Sequence, residues 1–114
     1  MSDCIFCKIV NREIPSQIVY ENDQIVIFKD IQPVAPVHLL AIPKQHIDNL
    51  CDPQLVAVDL LTGLIQGIQT AVREANLMED GFRVVVNYGP NAGEAVHHLH
   101  FHIIAGRMLA WPPG

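Results

Sequence analysis

The run His98-Leu-His-Phe-His102 places three imidazoles at alternate positions. On an extended strand alternate side chains share a face, so His98, His100 and His102 line one side, roughly 6–7 Å apart. Leu99, Phe101 and Ile103 then face the other way, into a core. Imidazole titrates near neutrality and serves as base, nucleophile or metal ligand. Histidines packed or exposed without a role are one reading, and three in register weigh against it. A His-x-His pair on a strand can hold zinc with a third ligand from elsewhere, leaving a position open for water. A neutral imidazole can also attack phosphorus to form a phospho- or nucleotidyl-histidine, while neighbouring imidazoles donate hydrogen bonds to the phosphate oxygens. Spacing alone leaves both open.

Cys4-Ile-Phe-Cys7 is a Cys-x-x-Cys pair. It offers two ligands and no second pair exists, so histidines would have to complete a closed Cys₂His₂ site. The plainer reading is two buried thiols and a surface His46. A thioredoxin-like redox pair fits less well, because Cys4 lies almost at the terminus rather than after a strand. Cys51 reads as a small apolar residue ahead of a helix.

These residues need a scaffold. Residues 4 to 10 are a short apolar stretch, about one helical turn, followed by a turn over 11–15. Residues 17–21 and 25–30 read as two strands joined at Asn22-Asp23. Pro33 and Pro36 mark a break, and 38–43 is a third strand. Asp52-Pro53 predicts a helix start, with Asp as N-cap and Pro at the first position. Leu61, Leu64, Ile65, Ile68, Ala71, Val72 and Ala75 keep a helical period to about Leu77. Gly63 and Gly67 inside it are either tolerated weak points or sites of close approach by another backbone. A fourth strand is expected over 83–87, a tight loop over 89–93 and a fifth strand over 97–104. Five strands with one main helix imply an α+β fold, an antiparallel sheet covered on one face.

The 114 residues make one domain, 1–114, long enough for a core, and half of them are apolar. The net charge of -5 argues against binding polymeric nucleic acid, which needs a basic surface. No signal peptide and no membrane span are read, so no membrane partner is expected. Three cysteines without an export signal point to a reduced, cytoplasmic protein.

The segment Val96-His97-His98-Leu99-His100-Phe101-His102-Ile103-Ile104 resembles the His-φ-His-φ-His-φ-φ signature of the histidine triad superfamily, φ being apolar. Ile5-Phe6-Cys7-Lys8-Ile9, Glu13-Ile14-Pro15, Phe28-Lys29-Asp30-Ile31, Ala35-Pro36-Val37-His38, Ile42-Pro43-Lys44, Arg83 to Asn87 and the ending from Gly106-Arg107 to Trp111-Pro-Pro-Gly114 follow the family's order. The tail looks like the histidine triad nucleotide-binding (Hint) branch of purine nucleoside phosphoramidate hydrolases. The resemblance implies a homodimer whose sheets join into ten strands, and hydrolysis of adenosine or guanosine 5'-phosphoramidates through a nucleotidyl-histidine. Aminoacyl adenylates are candidate substrates on the same ground.

By position, His100 would be the nucleophile, His102 and His38 would hold phosphate oxygens, and Asn87 would orient the phosphate. His98 would orient its neighbours. Asp30 would accept from the ribose hydroxyls, as a carboxylate can. Ile5, Phe6, Ile9, Phe28 and Ile31 would form the base slot, and Trp111 would approach the leaving group, across the dimer. Plainer readings stand beside these: Asp30 as a turn residue, the apolar five as core, Asn87 as a cap, Trp111 as a surface anchor. Some bacterial members carry a structural zinc, which here would sit on Cys4, Cys7, His46 and His98. No catalytic metal or organic cofactor is expected. Glu94 and Ala95 depart from the usual Gln and Ser, so Ala95 brings no hydroxyl to the leaving group and Glu94 faces solvent or repels an anionic substrate. His97 should point away from the triad. The rivals are a nucleotide-binding or interaction protein with little catalysis, and a zinc hydrolase using the triad as ligands.

Overall fold

The computed structural model describes residues 3–114; Met1 and Ser2 of the expected domain lie outside the described residues. Helix α1 spans Ile5–Val10. Strands β1 (Ile18–Glu21), β2 (Ile25–Lys29) and β3 (Val37–Pro43) follow. After them come a 3₁₀ turn (Pro53–Val56), helix α2 (Val58–Glu74), β4 (Arg83–Val85) and β5 (Phe101–Ala105). The five strands form one sheet in the order β1-β2-β3-β5-β4, antiparallel throughout. This is the α+β architecture expected.

The sheet has a core on each face. On one, α2 lays Leu60, Leu64, Ile68 and Val72 against Ile25, Ile27, Leu39 and Ile103. On the other, α1 sets Phe6 and Ile9 against Val26, Phe28, Leu40 and Ile42. The alternation along β2 and β3 feeds both layers, since neighbouring strand residues point to opposite faces. Burial of each such side chain contributes about 1.5–3 kcal/mol.

Asn22 closes the first hairpin. Its Oδ1 accepts from the Gln24 and Ile25 amides at 2.8 and 2.9 Å, and its Nδ2 donates to the Gly63 carbonyl of α2 at 3.0 Å. The two glycines of α2 are points of close approach, by side chains of this hairpin rather than by backbone. A Cβ at Gly67 would lie 2.4 Å from Ile25 Cδ1, and one at Gly63 would lie 2.8 Å from Gln24 Cβ.

The largest departures from the sequence reading lie at both ends of α2, the end of β4 and the start of β5. Asp52 does cap, accepting from the Gln54 amide at 2.9 Å, but it starts only the 3₁₀ turn. Ala57 is extended, so α2 begins at Val58, and it ends at Glu74 rather than Leu77, with Asn76 at φ +60. Strand β4 stops at Val85 instead of Asn87. Strand β5 starts at Phe101 instead of His97, because the Leu99 amide donates to the Ile47 carbonyl (2.7 Å) and not to a ladder. His98 and His100 therefore precede the ladder, though Leu99, Phe101 and Ile103 still pack on the α2 side.

Candidate active site and metal cluster

His98 is fully buried where the chain enters β5. Its Nε2 donates to the Pro43 carbonyl at 3.0 Å. The remaining nitrogen, Nδ1, faces Cys4 Sγ at 3.3 Å and Cys7 Sγ at 3.5 Å. Cys7 Sγ also meets His46 Nδ1 at 3.2 Å, and His46 Nε2 donates to Asp48 Oδ1 at 2.8 Å. Both rings thus have one nitrogen engaged as donor, which aims the other lone pair at the sulfurs. The four ligand atoms lie within 4.8 Å of one another. A tetrahedral zinc with ordinary bond lengths would set sulfur and nitrogen about 3.6 Å apart. The donor set and its spacing fit a closed structural metal site. Burial, then the neighbouring imidazoles of His46 and His100, lowers the pKa of His98 to about 4, which keeps it neutral and able to ligate.

His98 also touches the triad through its backbone: His100 Nδ1 donates to the His98 carbonyl at 2.7 Å. With its proton on Nδ1, His100 keeps a lone pair on Nε2. The His100 ring packs edge-on to Phe6 (5.1 Å between centroids) and to His102 (5.1 Å).

The protons of the other two histidines follow from one backbone donor. The Val34 amide donates to His38 Nδ1 at 3.1 Å, which places the His38 proton on Nε2. That proton points at His102 Nδ1, 2.8 Å away, and at Asp30 Oδ2, 3.4 Å away. His102 accepts on Nδ1 and carries its own proton on Nε2. Burial first, and then the rings of His100 and His38, hold the His102 pKa at about 4. The arrangement presents one imidazole lone pair and one imidazole N–H, the complement of an electrophilic phosphorus and its anionic oxygens.

Asp30, His38 and His102 also have ligand atoms close enough for a cation. The donor chemistry does not fit one. A metal on His38 Nε2 would need the proton on Nδ1, where it would confront the Val34 N–H.

The remaining expected site residues divide. Phe6, Ile9 and Phe28 come together under the histidines, with Phe6 and Phe28 edge-to-face at 5.7 Å. All three are buried in the core of this face. Ile5 is exposed at the α1 surface, and Ile31 stands 91% exposed in the turn after β2. Asp30 does act as a turn residue, its Oδ1 accepting from the Gln32 amide at 2.9 Å, while Oδ2 stays on the His38 side. Asn87 is half-buried beyond β4 and Ala95 is exposed. Trp111 is 81% exposed, on a tail held by Arg83, which donates to the Ala110 carbonyl at 3.0 Å.

Glu94 neither faces solvent nor lies open to an anionic ligand. Its carboxylate is buried and accepts from the Gly89 amide at 3.1 Å, closing the 89–93 loop. His97 is exposed and turned away from the triad, near Glu94 at 3.4 Å. Sequence reading missed Val34, Pro43 and Asp48. Asp48 carried a signal, a carboxylate two residues after a candidate ligand. Val34 and Pro43 act through backbone atoms and carried none.

A family model described as scavenger mRNA decapping enzyme C-term binding matches residues 3–110. The chain is 40% identical to a HIT family hydrolase of Legionella pneumophila Philadelphia 1, whose crystal structure it matches with a TM-score of 0.92 over 98% of this chain and 100% of that one. It is 41% identical over 114 residues to the 14 kDa zinc-binding protein of Brassica juncea, covering 98% of this chain and 100% of that protein. It is likewise 41% identical over 115 residues to adenylylsulfatase HINT1 of Arabidopsis thaliana, covering 99% of this chain and 78% of that protein. The chain belongs to the histidine triad superfamily, in its Hint-like branch. These likenesses support a hydrolase. Among the described residues no helix is long and apolar enough to cross a membrane.

Proposed function

We propose that this protein hydrolyses purine nucleoside 5'-phosphoramidates, adenosine or guanosine, to the nucleoside monophosphate and an amine, with aminoacyl adenylates as related candidates. The observation that carries the reading is the 2.7 Å bond from His100 Nδ1 to the His98 carbonyl, which leaves Nε2 as a neutral nucleophile. His100 Nε2 attacks phosphorus and the bond from phosphorus to the amine breaks. The leaving nitrogen takes a proton from solvent at the exposed Ala95 side, since alanine has none to give. Water then attacks phosphorus and gives up a proton to solvent, while the bond from phosphorus to Nε2 breaks and its electron pair returns to Nε2. His102 donates from Nε2 to a phosphoryl oxygen, His38 fixes that proton, and Asn87 orients the phosphate. Asp30 Oδ2 takes the ribose, and Ile5, Phe6, Ile9, Phe28 and Ile31 border the base.

Cys4, Cys7, His46 and His98 hold a structural zinc in this reading, which cross-links the N-terminal segment to the sheet when bound. No metal enters the chemistry. The outer edge of β4, with exposed Phe82 and Val84, pairs with a second copy to give ten strands, and Trp111 reaches the partner's leaving-group side. The odd, low cysteine count supports a cytoplasmic location.

A second substrate class is favoured by one observation. Ala95 has no hydroxyl and the Glu94 carboxylate is engaged by Gly89, so leaving groups that need no proton suit this site. Adenylyl sulfate, the type of substrate named in the Arabidopsis relative, has such a group.

The test is release of AMP from an adenosine phosphoramidate by the native protein and by His100→Ala, each with and without chelator. Turnover that persists with chelator and vanishes in the variant is expected. Tight AMP binding without turnover in the native protein would leave a binding protein instead.

A further inference from the structure

The Cys-x-x-Cys pair joins the metal cluster to the nucleophile through a single residue. Cys4 and Cys7 partner the Nδ1 of His98, and the carbonyl of the same residue accepts from His100. Cys4 is also the N-cap of α1, its sulfur accepting from the Cys7 amide at 3.4 Å. Two residues on, Phe6 packs against both His98 (5.8 Å) and His100 (5.1 Å). The two sulfurs lie within 4.8 Å of each other, and His46, with 39% of its side chain exposed, stands beside Cys7 at the surface. A small oxidant therefore reaches the pair from solvent.

We propose that Cys4 and Cys7 are a thiol-oxidation site whose disulfide state disables the nucleotide site by unseating His98. This rests on the nucleotide reading above. A hydroperoxide is the oxidant. One thiolate attacks the peroxide oxygen, the O–O bond breaks, and a sulfenic acid and water result. The second thiolate attacks that sulfur and expels hydroxide, which takes a proton to become water. In sum, two thiolates, one hydrogen peroxide and two protons give one disulfide and two waters, and any metal held by the sulfurs is released.

The consequence follows from burial. No buried side-chain nitrogen or oxygen among the described residues lacks a partner. In the reduced pair the buried Nδ1 of His98 has a partner either way, a thiol S–H when no metal is held and the metal itself when one is. A disulfide offers neither a proton nor a thiolate to hold a metal, so that buried nitrogen loses its partner. His98 must move to regain a partner, and its carbonyl and the Phe6 wall of α1 move with it. Chelation of the reduced protein leaves the S–H partners in place, so it is the disulfide and not metal loss alone that acts.

The experiment uses Cys51→Ser protein, in which Cys4 and Cys7 are the sole thiols, loaded with one equivalent of zinc. Three samples are compared: untreated, chelated under reductant, and treated with a small excess of hydrogen peroxide. Each is read for intact mass, released zinc, AMP affinity and hydrogen exchange of the Ile5–Val10 amides. Peroxide is expected to remove 2 Da, release the zinc, weaken AMP binding at least tenfold and speed exchange in α1, all reversed by reductant and zinc. The chelated sample should stay within about threefold of the untreated one in affinity. A disulfide that forms without changing α1 exchange overturns the proposal, as does a pair that peroxide does not oxidise. If the untreated protein fails to bind AMP, the nucleotide reading falls, while α1 exchange still decides whether the disulfide unseats His98.

Discussion

The His98 carbonyl and the His100 imidazole share a 2.7 Å hydrogen bond, and through it a residue of the Cys/His cluster determines which nitrogen of the candidate nucleophile is free. Replacing His100 by Ala should cost at least ~10³-fold in turnover, since a nucleophile is removed outright. Phosphoramidate turnover measured beside the thermal midpoint checks this, and a variant that folds and turns over within tenfold of native would rule out His100.

In the proposed mechanism His38 acts on phosphate through His102. His38→Ala removes the donor to His102 Nδ1 and frees His102 to flip its proton. A fall in kcat on the order of tenfold to a hundredfold is expected, short of the roughly 10²–10³-fold cost of deleting an oxyanion donor. Steady-state kinetics settle it; a change in KM alone would show that His38 merely shapes the pocket.

Gly67→Ala pits two effects against each other. Alanine favours a helix by about 1 kcal/mol over glycine. Its Cβ would sit 2.4 Å from Ile25 Cδ1, in a fully buried side chain, and overpacking costs about 1–3 kcal/mol. The clash should win, lowering the thermal midpoint by a few degrees while AMP affinity holds. A more stable variant would mean that Ile25 rotates away without cost.

Glu94 tests a departure from the family pattern. Glu94→Gln retains an acceptor for the Gly89 amide and should change stability by under about 0.5 kcal/mol. Glu94→Ala leaves that amide unpartnered and should cost about 1 kcal/mol. Urea unfolding of the pair checks the ordering, and equal losses would assign the effect to charge rather than to the hydrogen bond.

Acid sensitivity follows from His98 and His102, whose pKa values are held near 4 chiefly by burial, against about 6.5 unfolded. Between these values the unfolded chain binds more protons, so stability rises with pH across this window. The contribution is complete above about pH 6.5 and is lost as pH falls toward 4. Metal-stripped protein should unfold more readily at pH 5 than at pH 7. Equal midpoints at the two pH values would mean that neither histidine is held neutral.

Much of this molecule is legible in its sequence. Alternation of histidine with Leu99, Phe101 and Ile103 separated a polar face from a core face, because strand geometry has a period of two. The period in α2 and the Asn22 hairpin were equally local. What local pattern could not supply was closure. Cys4 meets His98 across 94 positions and His38 meets His102 across 64, distances that only the packed sheet brings down to hydrogen-bond length. Nor could it mark the Val34 amide or the carbonyls of Pro43 and His98. Every residue but proline carries the same backbone donor and acceptor, so no side-chain code announces which of them will face a ring. The sequence determined which groups can do chemistry; tertiary structure decided which nitrogen of each histidine is left to do it.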